Sequence, residues 1–286
     1  MAENPQLFRK VTIIGIGLIG GSIGMALKKN NFAREVIGVS RQHSSLVQAL
    51  KSRAIDKASH DVRKSVQDAD LVILATPVKT IISMFTVINK SLKRGCIVTD
   101  VGSTKEAIVA AAEKHLPSHA LFVGSHPLAG SEKKGAAFGS AELFNGSICI
   151  MTPTEKTNKA AVDKVKTLWM RLGANVKTLP ADEHDKALAY ISHLPHLLAY
   201  GLIDVIPPDY VQYAAQGLKD TTRIASSDPD MWKDVCITNS QSLLKALDEY
   251  AKVLAAFRKA IVSKDEPNLL EIFKKSKNKR DGLDKP

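Results

Sequence analysis

The sequence predicts an α/β protein, a doubly wound sheet followed by an all-helical domain, and three observations carry that prediction. Short β-branched apolar runs alternate with helical stretches over the first part of the chain. A glycine-rich loop joins the first run to the first helix. Past Pro180 the β signal stops and helical periodicity takes over, so the expected domains are residues 8–180 and 181–286. Strands alternating with helices build a mostly parallel sheet with helices on both faces.

Val11–Ile14 opens the series and runs straight into glycines. Val36–Ser40, Leu71–Ala75, Ile97–Asp100 and Leu121–Gly124 follow, each continuous and apolar, as strands buried on both faces should be. Ile148–Thr152 and Asn175–Thr178 read as later strands separated by a helix over Lys156–Leu172. Ala181–Val205 reads as one helix bent at Pro195, because a mid-helix proline removes a hydrogen bond and crowds the preceding turn. A long helix is expected over Trp232–Val262. Within it Leu243, Leu247, Tyr250, Leu254, Phe257 and Ile261 recur in alternating steps of four and three. That spacing gives one apolar stripe, suited to core packing or to a subunit interface.

Composition narrows the function classes. The 286 residues are 44% apolar, with no uncharged apolar run long enough to span a bilayer. The start of the chain lacks the basic and apolar segments of a signal peptide. Three cysteines, Cys96, Cys149 and Cys236, show no metal-ligand spacing and suit a reducing compartment. A cytoplasmic protein without membrane contact is therefore expected. The net charge of +11 raises nucleic acid as a partner, but aromatic residues are only 5% and the lysines are spread out. Nucleic-acid binders concentrate charge and expose stacking rings. The one dense cluster, Lys274–Arg280, reads as a solvated tail, and the remaining charge suits anionic small molecules.

The loop Gly15-Ile-Gly-Leu-Ile-Gly20 carries the cofactor expectation. Its first glycine permits a tight turn, and Gly17 lets backbone approach a pyrophosphate. Gly20 allows close helix–strand packing, and the helix start at Leu18 and Ile19 supplies oriented N–H groups. An NAD site usually ends its second strand in Asp or Glu. Here Ser40-Arg41-Gln42-His43 stands there, and a hydroxyl with a guanidinium suits a 2′-phosphate. NADP is the favoured cofactor, with NAD and a merely exposed Arg41 as the alternative. Thr76-Pro77 and Asp100–Ser103 also follow strands, at the carboxyl edge where ligands gather. Ser103 can approach the nicotinamide and a reacting hydroxyl, or cap the helix beginning near Lys105.

His126 sits in Gly124-Ser-His-Pro-Leu-Ala-Gly-Ser-Glu132, directly after a strand. An imidazole there can accept a proton from a substrate hydroxyl while hydride leaves for the cofactor, or it can be structural. His184, His193 and His196 form a second group, the last two in Ser192-His-Leu-Pro-His196. Their spacing lacks companion metal ligands, so no metal is expected, and packing at the proline kink is the plain reading of His193. Lys219 and Arg223, four apart in Gly217–Arg223, can aim two cations at a carboxylate or form a solvated helix face.

Taken together, Gly15–Ser22, Asp100–Lys105, Gly124–Glu132, Ser192–His196 and Lys219–Trp232 resemble the prephenate/arogenate dehydrogenase family of tyrosine biosynthesis. The resemblance spans Val11 to about Arg280 and implies a Rossmann-like domain followed by a helical dimerisation domain. It implies an NAD(P)-dependent oxidative decarboxylation of a cyclohexadienol, with prephenate favoured over arogenate because His196 is present. In that family the residue matching His126 takes the proton of the ring hydroxyl, and the one matching Ser103 assists there. The residue matching Arg223 binds substrate carboxylate. Lys219, Asp220 and Glu132 match members of a polar network, and His196 a residue beside the substrate side chain, with His193 in the same motif. The partners implied are the small-molecule substrate and a second copy of the chain.

Two other readings compete. A β-hydroxyacid dehydrogenase shares the loop but relies on a lysine, for which Lys186 is the candidate. A non-catalytic NADP-binding sensor would keep the fold and tolerate change at position 126.

Overall fold

The computed structural model describes residues 6–129, 135 and 139–283. The chain forms two compact units, one running through Asn239 and the other starting at Ser240. In the first unit the strands are β1 (Phe8–Ile14), β2 (Ala33–Val39), β3 (Lys57–Ser59), β4 (Leu71–Leu74), β5 (Ile97–Asp100), β6 (Leu121–Pro127), β7 (Ile148–Thr152) and β8 (Asn175–Thr178). They make one sheet in the order β3-β2-β1-β4-β5-β6-β7-β8. All pairings are parallel except β6 with β7. The order reverses at β1, and the crevice at such a switch point is where open α/β sheets bind ligands.

The helices of this unit are α1 (Leu18–Lys29), α2 (His43–Lys51), α3 (Val62–Val66), α4 (Val78–Ile88), α5 (Glu106–His115), α6 (Lys159–Arg171), α7 (Ala181–Leu188), α8 (Leu194–Asp204), α9 (Gln216–Thr222) and α10 (Pro229–Thr238). Strand alternation sends side chains to two cores. Val11, Ile13, Leu71 and Ile73 pack with Ile23, Leu27 and Trp169 on one face. Ile14, Val72 and Leu74 pack with Ile81, Phe85 and Ile108 on the other. The sheet is therefore buried on both sides, which is why its strands read as continuous apolar runs. β3 is short and half-polar, an edge strand whose sequence carries no such run.

Four expectations need correction. β6 continues past Gly124 through His126 and Pro127. Its first residues pair parallel with β5 and its last four pair antiparallel with β7, His126 opposite Ile150. His126 thus lies within a strand and not after it, and Pro127 extends the same strand. The region Ala181–Val205 is helical without a break through Asp204, as expected, but its irregularity is a π-helical turn, Ala189–His193, that links α7 to α8, and Pro195 occupies the first turn of α8. Its missing N–H removes one helical bond, and the wider π turn before it absorbs that loss. Trp232–Val262 is two helices, interrupted at Asn239 (φ −117°, ψ 31°). Lastly, Lys274–Arg280 is no tail but part of a helix of the second unit.

That second unit consists of α11 (Ser240–Val262) and α12 (Glu266–Asp281). Asp265 caps α12 by accepting from the Asn268 amide, and the rings of Phe257 and Phe273 meet at 5.6 Å. The apolar stripe of α11 is not fully covered in one chain, since Leu254 is 51% and Ile261 63% exposed. Among the described residues no helix is long and apolar enough to cross a membrane.

Candidate active site

The loop after β1 divides its three glycines between structure and access. Gly15 has φ +99°, and a Cβ there would lie 2.3 Å from the Ala75 carbonyl oxygen. A Cβ on Gly20 would lie 2.0 Å from the Gly15 carbonyl oxygen, so this glycine lets α1 seat against the loop. Gly17 has nothing within 4 Å of its would-be Cβ. It caps α1 without any side-chain hydrogen bond, and no acidic residue occupies the first turn. The helix start is thus open and electropositive, the condition for binding a phosphate.

Gly17, Leu18 and Ile19 line a cavity of about 430 Å³. Its other walls include Thr76 and Pro77 after β4, Ser103 after β5, His126 of β6 and Met231 of α10. The buried Thr76 hydroxyl has no hydrogen-bond partner among the described residues. An unsatisfied hydroxyl beside an uncapped helix start and an unobstructed glycine fits a polar, phosphorylated ligand such as a dinucleotide. Ser40 follows β2, where its hydroxyl accepts from the Gln42 amide at 3.1 Å and its carbonyl meets His60 Nδ1 at 2.7 Å. Arg41 and Gln42 are exposed beside it, and no carboxylate stands at this strand end.

Ser103 does not cap α5. The first amides of that helix, Lys105 and Glu106, donate instead to the carboxylate of Asp185, at 2.7 and 3.0 Å. This leaves the Ser103 side chain to the cavity. Lys105 is fully buried, paired with the buried Asp100, and its Nζ donates to the Ser125 carbonyl at 2.9 Å. Asp100 also accepts from the amides of Gly102 and Ser125, at 2.8 and 3.2 Å. A buried ion pair therefore underlies the strand residue next to His126.

His126 is 8% exposed, and its Nδ1 lies 2.8 Å from His184 Nε2. His184 Nδ1 in turn lies 2.8 Å from Asp185 Oδ1. Burial lowers the pKa of His126 well below the usual imidazole value, and the His184 ring and the Lys105 ammonium act the same way. Burial also lowers His184, against the pull of Asp185. Both rings are neutral at pH 7, the form a proton acceptor requires. Asp185 carries no obvious signal in the run Ala181–Lys186, because Asp182 and Glu183 beside it are exposed and paired with Lys186. The usable clue is helical phase: His184, Asp185 and Leu188 form the buried face of α7.

The described residues among those expected to bind substrate are not among the residues lining the cavity. His193 is buried, its Nδ1 accepting from Asn239 Nδ2 at 3.0 Å, and burial pushes its pKa down to about 4. Asn239 also donates to the Asp185 carbonyl at 2.7 Å, so the helix break at this residue serves the histidine cluster. His196 is half-buried and stacked on Trp232 at 3.7 Å, and its Nδ1 donates to the Ser192 carbonyl at 2.9 Å. Burial lowers its pKa, and Arg223 is near enough to add to that effect. Arg223 begins a 3₁₀ turn, Arg223–Ser226, after α9 ends, so it does not continue the helical face of Lys219. Lys219 and Asp220 are exposed on α9, where Asp220 accepts from Gln216. Glu132 lies outside the described residues. Lys186, needed by the β-hydroxyacid reading, sits in surface pairs with Asp182 and Glu183.

Two family profiles cover most of the chain. One described as "Prephenate dehydrogenase, nucleotide-binding domain" matches residues 23–178. One described as "Prephenate dehydrogenase, dimerization domain" matches residues 180–275. The chain is 37% identical over 285 residues to a prephenate dehydrogenase of Bacillus subtilis, covering 97% of this chain and 77% of the relative. It is 35% identical to a cyclohexadienyl dehydrogenase of Zymomonas mobilis, covering 96% of each. The structure superposes on that of prephenate dehydrogenase from Aquifex aeolicus in complex with hydroxyphenyl propionate and NAD+ with a TM-score of 0.90. Identity there is 33%, over 99% of this chain and 100% of the other. With an open dinucleotide loop and a neutral buried histidine on one cavity, and with both domains matched, the chain belongs to the prephenate dehydrogenase family.

Proposed function

We propose that this chain is an NAD(P)-dependent dehydrogenase that converts prephenate to 4-hydroxyphenylpyruvate and carbon dioxide as a homodimer, with residues 8–180 binding cofactor and residues 181–286 serving dimerisation and substrate. The observation that carries the reading is a neutral histidine, His126, on the cavity that also holds the Gly17 loop and Ser103. When bound, the nicotinamide supplies an acceptor for the hydride leaving the hydroxyl-bearing ring carbon. His126 draws off the hydroxyl proton, with the Ser103 hydroxyl orienting the same oxygen. The bond to the ring carboxylate breaks as carbon dioxide departs, its electron pair passes through the ring to the oxygen as the ring becomes aromatic, and that oxygen takes back the proton held by His126. Gly15, Gly17, Leu18, Ile19, Gly20, Thr76 and Pro77 shape the cofactor seat.

NADP is preferred in this reading. The support is the absence of a carboxylate after β2 and the presence of Ser40 and Arg41 there, a pair suited to a 2′-phosphate. Arg223 binds substrate carboxylate, and His196, His193, Lys219, Asp220 and Glu132 build the surrounding polar region. Exposed Ile203, Val205, Tyr210 and Tyr213 within the matched dimerisation segment support burial against a second copy.

One observation favours arogenate as a second substrate, against the preference for prephenate that the presence of His196 implied. His196 donates through Nδ1, so its neutral ring keeps Nε2 as an acceptor, which suits the ammonium of arogenate better than a keto group. Reduced-cofactor formation, followed spectrophotometrically with prephenate and arogenate and with NADP and NAD, tests all of this. Turnover is expected with prephenate, faster with NADP. Cofactor binding without turnover in any combination would favour the sensor reading instead.

A further inference from the structure

His126 is held at the end of a chain of buried polar groups whose direction the hydrogen-bond geometry settles. Asp185 accepts from three sides. Oδ1 takes the Lys105 amide and Oδ2 the Glu106 amide, at 2.7 and 3.0 Å, and backbone N–H groups can only donate. His184 Nδ1, 2.8 Å from Oδ1, must therefore carry the proton in that contact. A neutral His184 protonated at Nδ1 has a bare Nε2, and this nitrogen faces His126 Nδ1 at 2.8 Å. The proton in the second contact then belongs to His126 Nδ1. The rings are tilted by 59° with centroids 5.0 Å apart, an edge contact that fits an N–H···N bond and not stacking.

We propose that His184 and Asp185 are positioning residues that fix His126 as its Nδ1–H tautomer, leaving the Nε2 lone pair as the proton acceptor on the cavity. The inference rests on the dehydrogenase reading and deepens it by assigning which ring nitrogen receives the substrate proton. His184 is 0% and Asp185 1% exposed, so neither can exchange its partner for water. Asp185 is further locked because the same carboxylate terminates α5, the helix that follows Ser103. One side chain thus sets the register of two groups on the cavity: the histidine through His184, and the serine through the helix start. When His126 takes the hydroxyl proton at Nε2, its Nδ1–H bond to His184 gains charge assistance, and the Asp185 carboxylate stabilises that charge through the second ring. No proton needs to leave along the chain.

The test combines tautomer and turnover. Nitrogen NMR of isotope-labelled histidine, with His126 assigned by its absence in His126→Asn, should show Nε2 unprotonated and Nδ1 protonated in the wild-type protein. Asp185→Asn should lose that pattern and lower kcat on the order of 10²–10⁴-fold, with KM and cofactor Kd near wild type. Because Asp185 also caps α5, a second pair guards against misfolding. His184→Gln keeps an amide oxygen to accept from His126 and should retain far more kcat than His184→Leu, which has no acceptor. A wild-type His126 protonated at Nε2, or equal kcat in His184→Gln and His184→Leu, would overturn the proposal. Absence of turnover with any substrate would sink the dehydrogenase reading alone, since the tautomer is read without substrate.

Discussion

Lys105 carries its ammonium group into the interior, where Asp100 and the Ser125 carbonyl receive it. From the sequence it is one of many lysines at a helix start, and nothing in its neighbours marks it as buried. The same is true of Asp185, which differs from Asp182 only in helical phase. Gly15 and Gly20 were legible because each meets a steric demand that only glycine satisfies, whereas partners 80 residues apart, such as Asp185 and Lys105, are set by tertiary packing. Removing one member of a buried pair leaves the other charge uncompensated. Lys105→Met should therefore destabilise the protein by about 3–5 kcal/mol, toward the lower end because Asp100 keeps two amide donors. Urea unfolding reads this as a lower midpoint; an unchanged midpoint would show that Asp100 is satisfied without the lysine.

At the level of elements, the parallel strands and the loop were readable from apolar runs and glycine spacing, since burial on both faces leaves little choice of residue. The helix interruptions were not. The π turn before Pro195 and the break at Asn239 have no residue pattern of their own, and the structure shows at them a contact made only in the folded chain, Asn239 with His193 and with the Asp185 carbonyl. Strand β6 outran its expected end because antiparallel pairing with β7 takes over where β5 stops, and a proline at a strand's end looks like a turn. The glycine loop gives a prediction at this scale. Gly20→Ala should unfold or strongly destabilise the protein, as its Cβ meets backbone at 2.0 Å. Gly17→Ala should keep the wild-type unfolding midpoint, because nothing opposes its Cβ, yet weaken cofactor binding by crowding the pyrophosphate. Equal cofactor affinity in Gly17→Ala, measured by titration calorimetry, would remove Gly17 from the site.

Across the whole molecule, one cavity gathers the ends of β1, β4, β5 and β6 with α10, and the net charge of +11 belongs to the chain as a whole, favouring the approach of anionic ligands to the protein. Exposed apolar residues stand after α8 and along α11, within the segment that the dimerization-domain profile matches. Arg223, Lys219 and Asp220 are not among the residues that line this cavity. The central claim concerns His126, and the most direct measurement is the kinetics of His126→Asn with prephenate and NADP beside its cofactor Kd. Loss of the base should lower kcat on the order of 10²–10⁴-fold while cofactor Kd stays at the wild-type value. Wild-type turnover in this variant, or loss of cofactor binding along with turnover, would contradict the account.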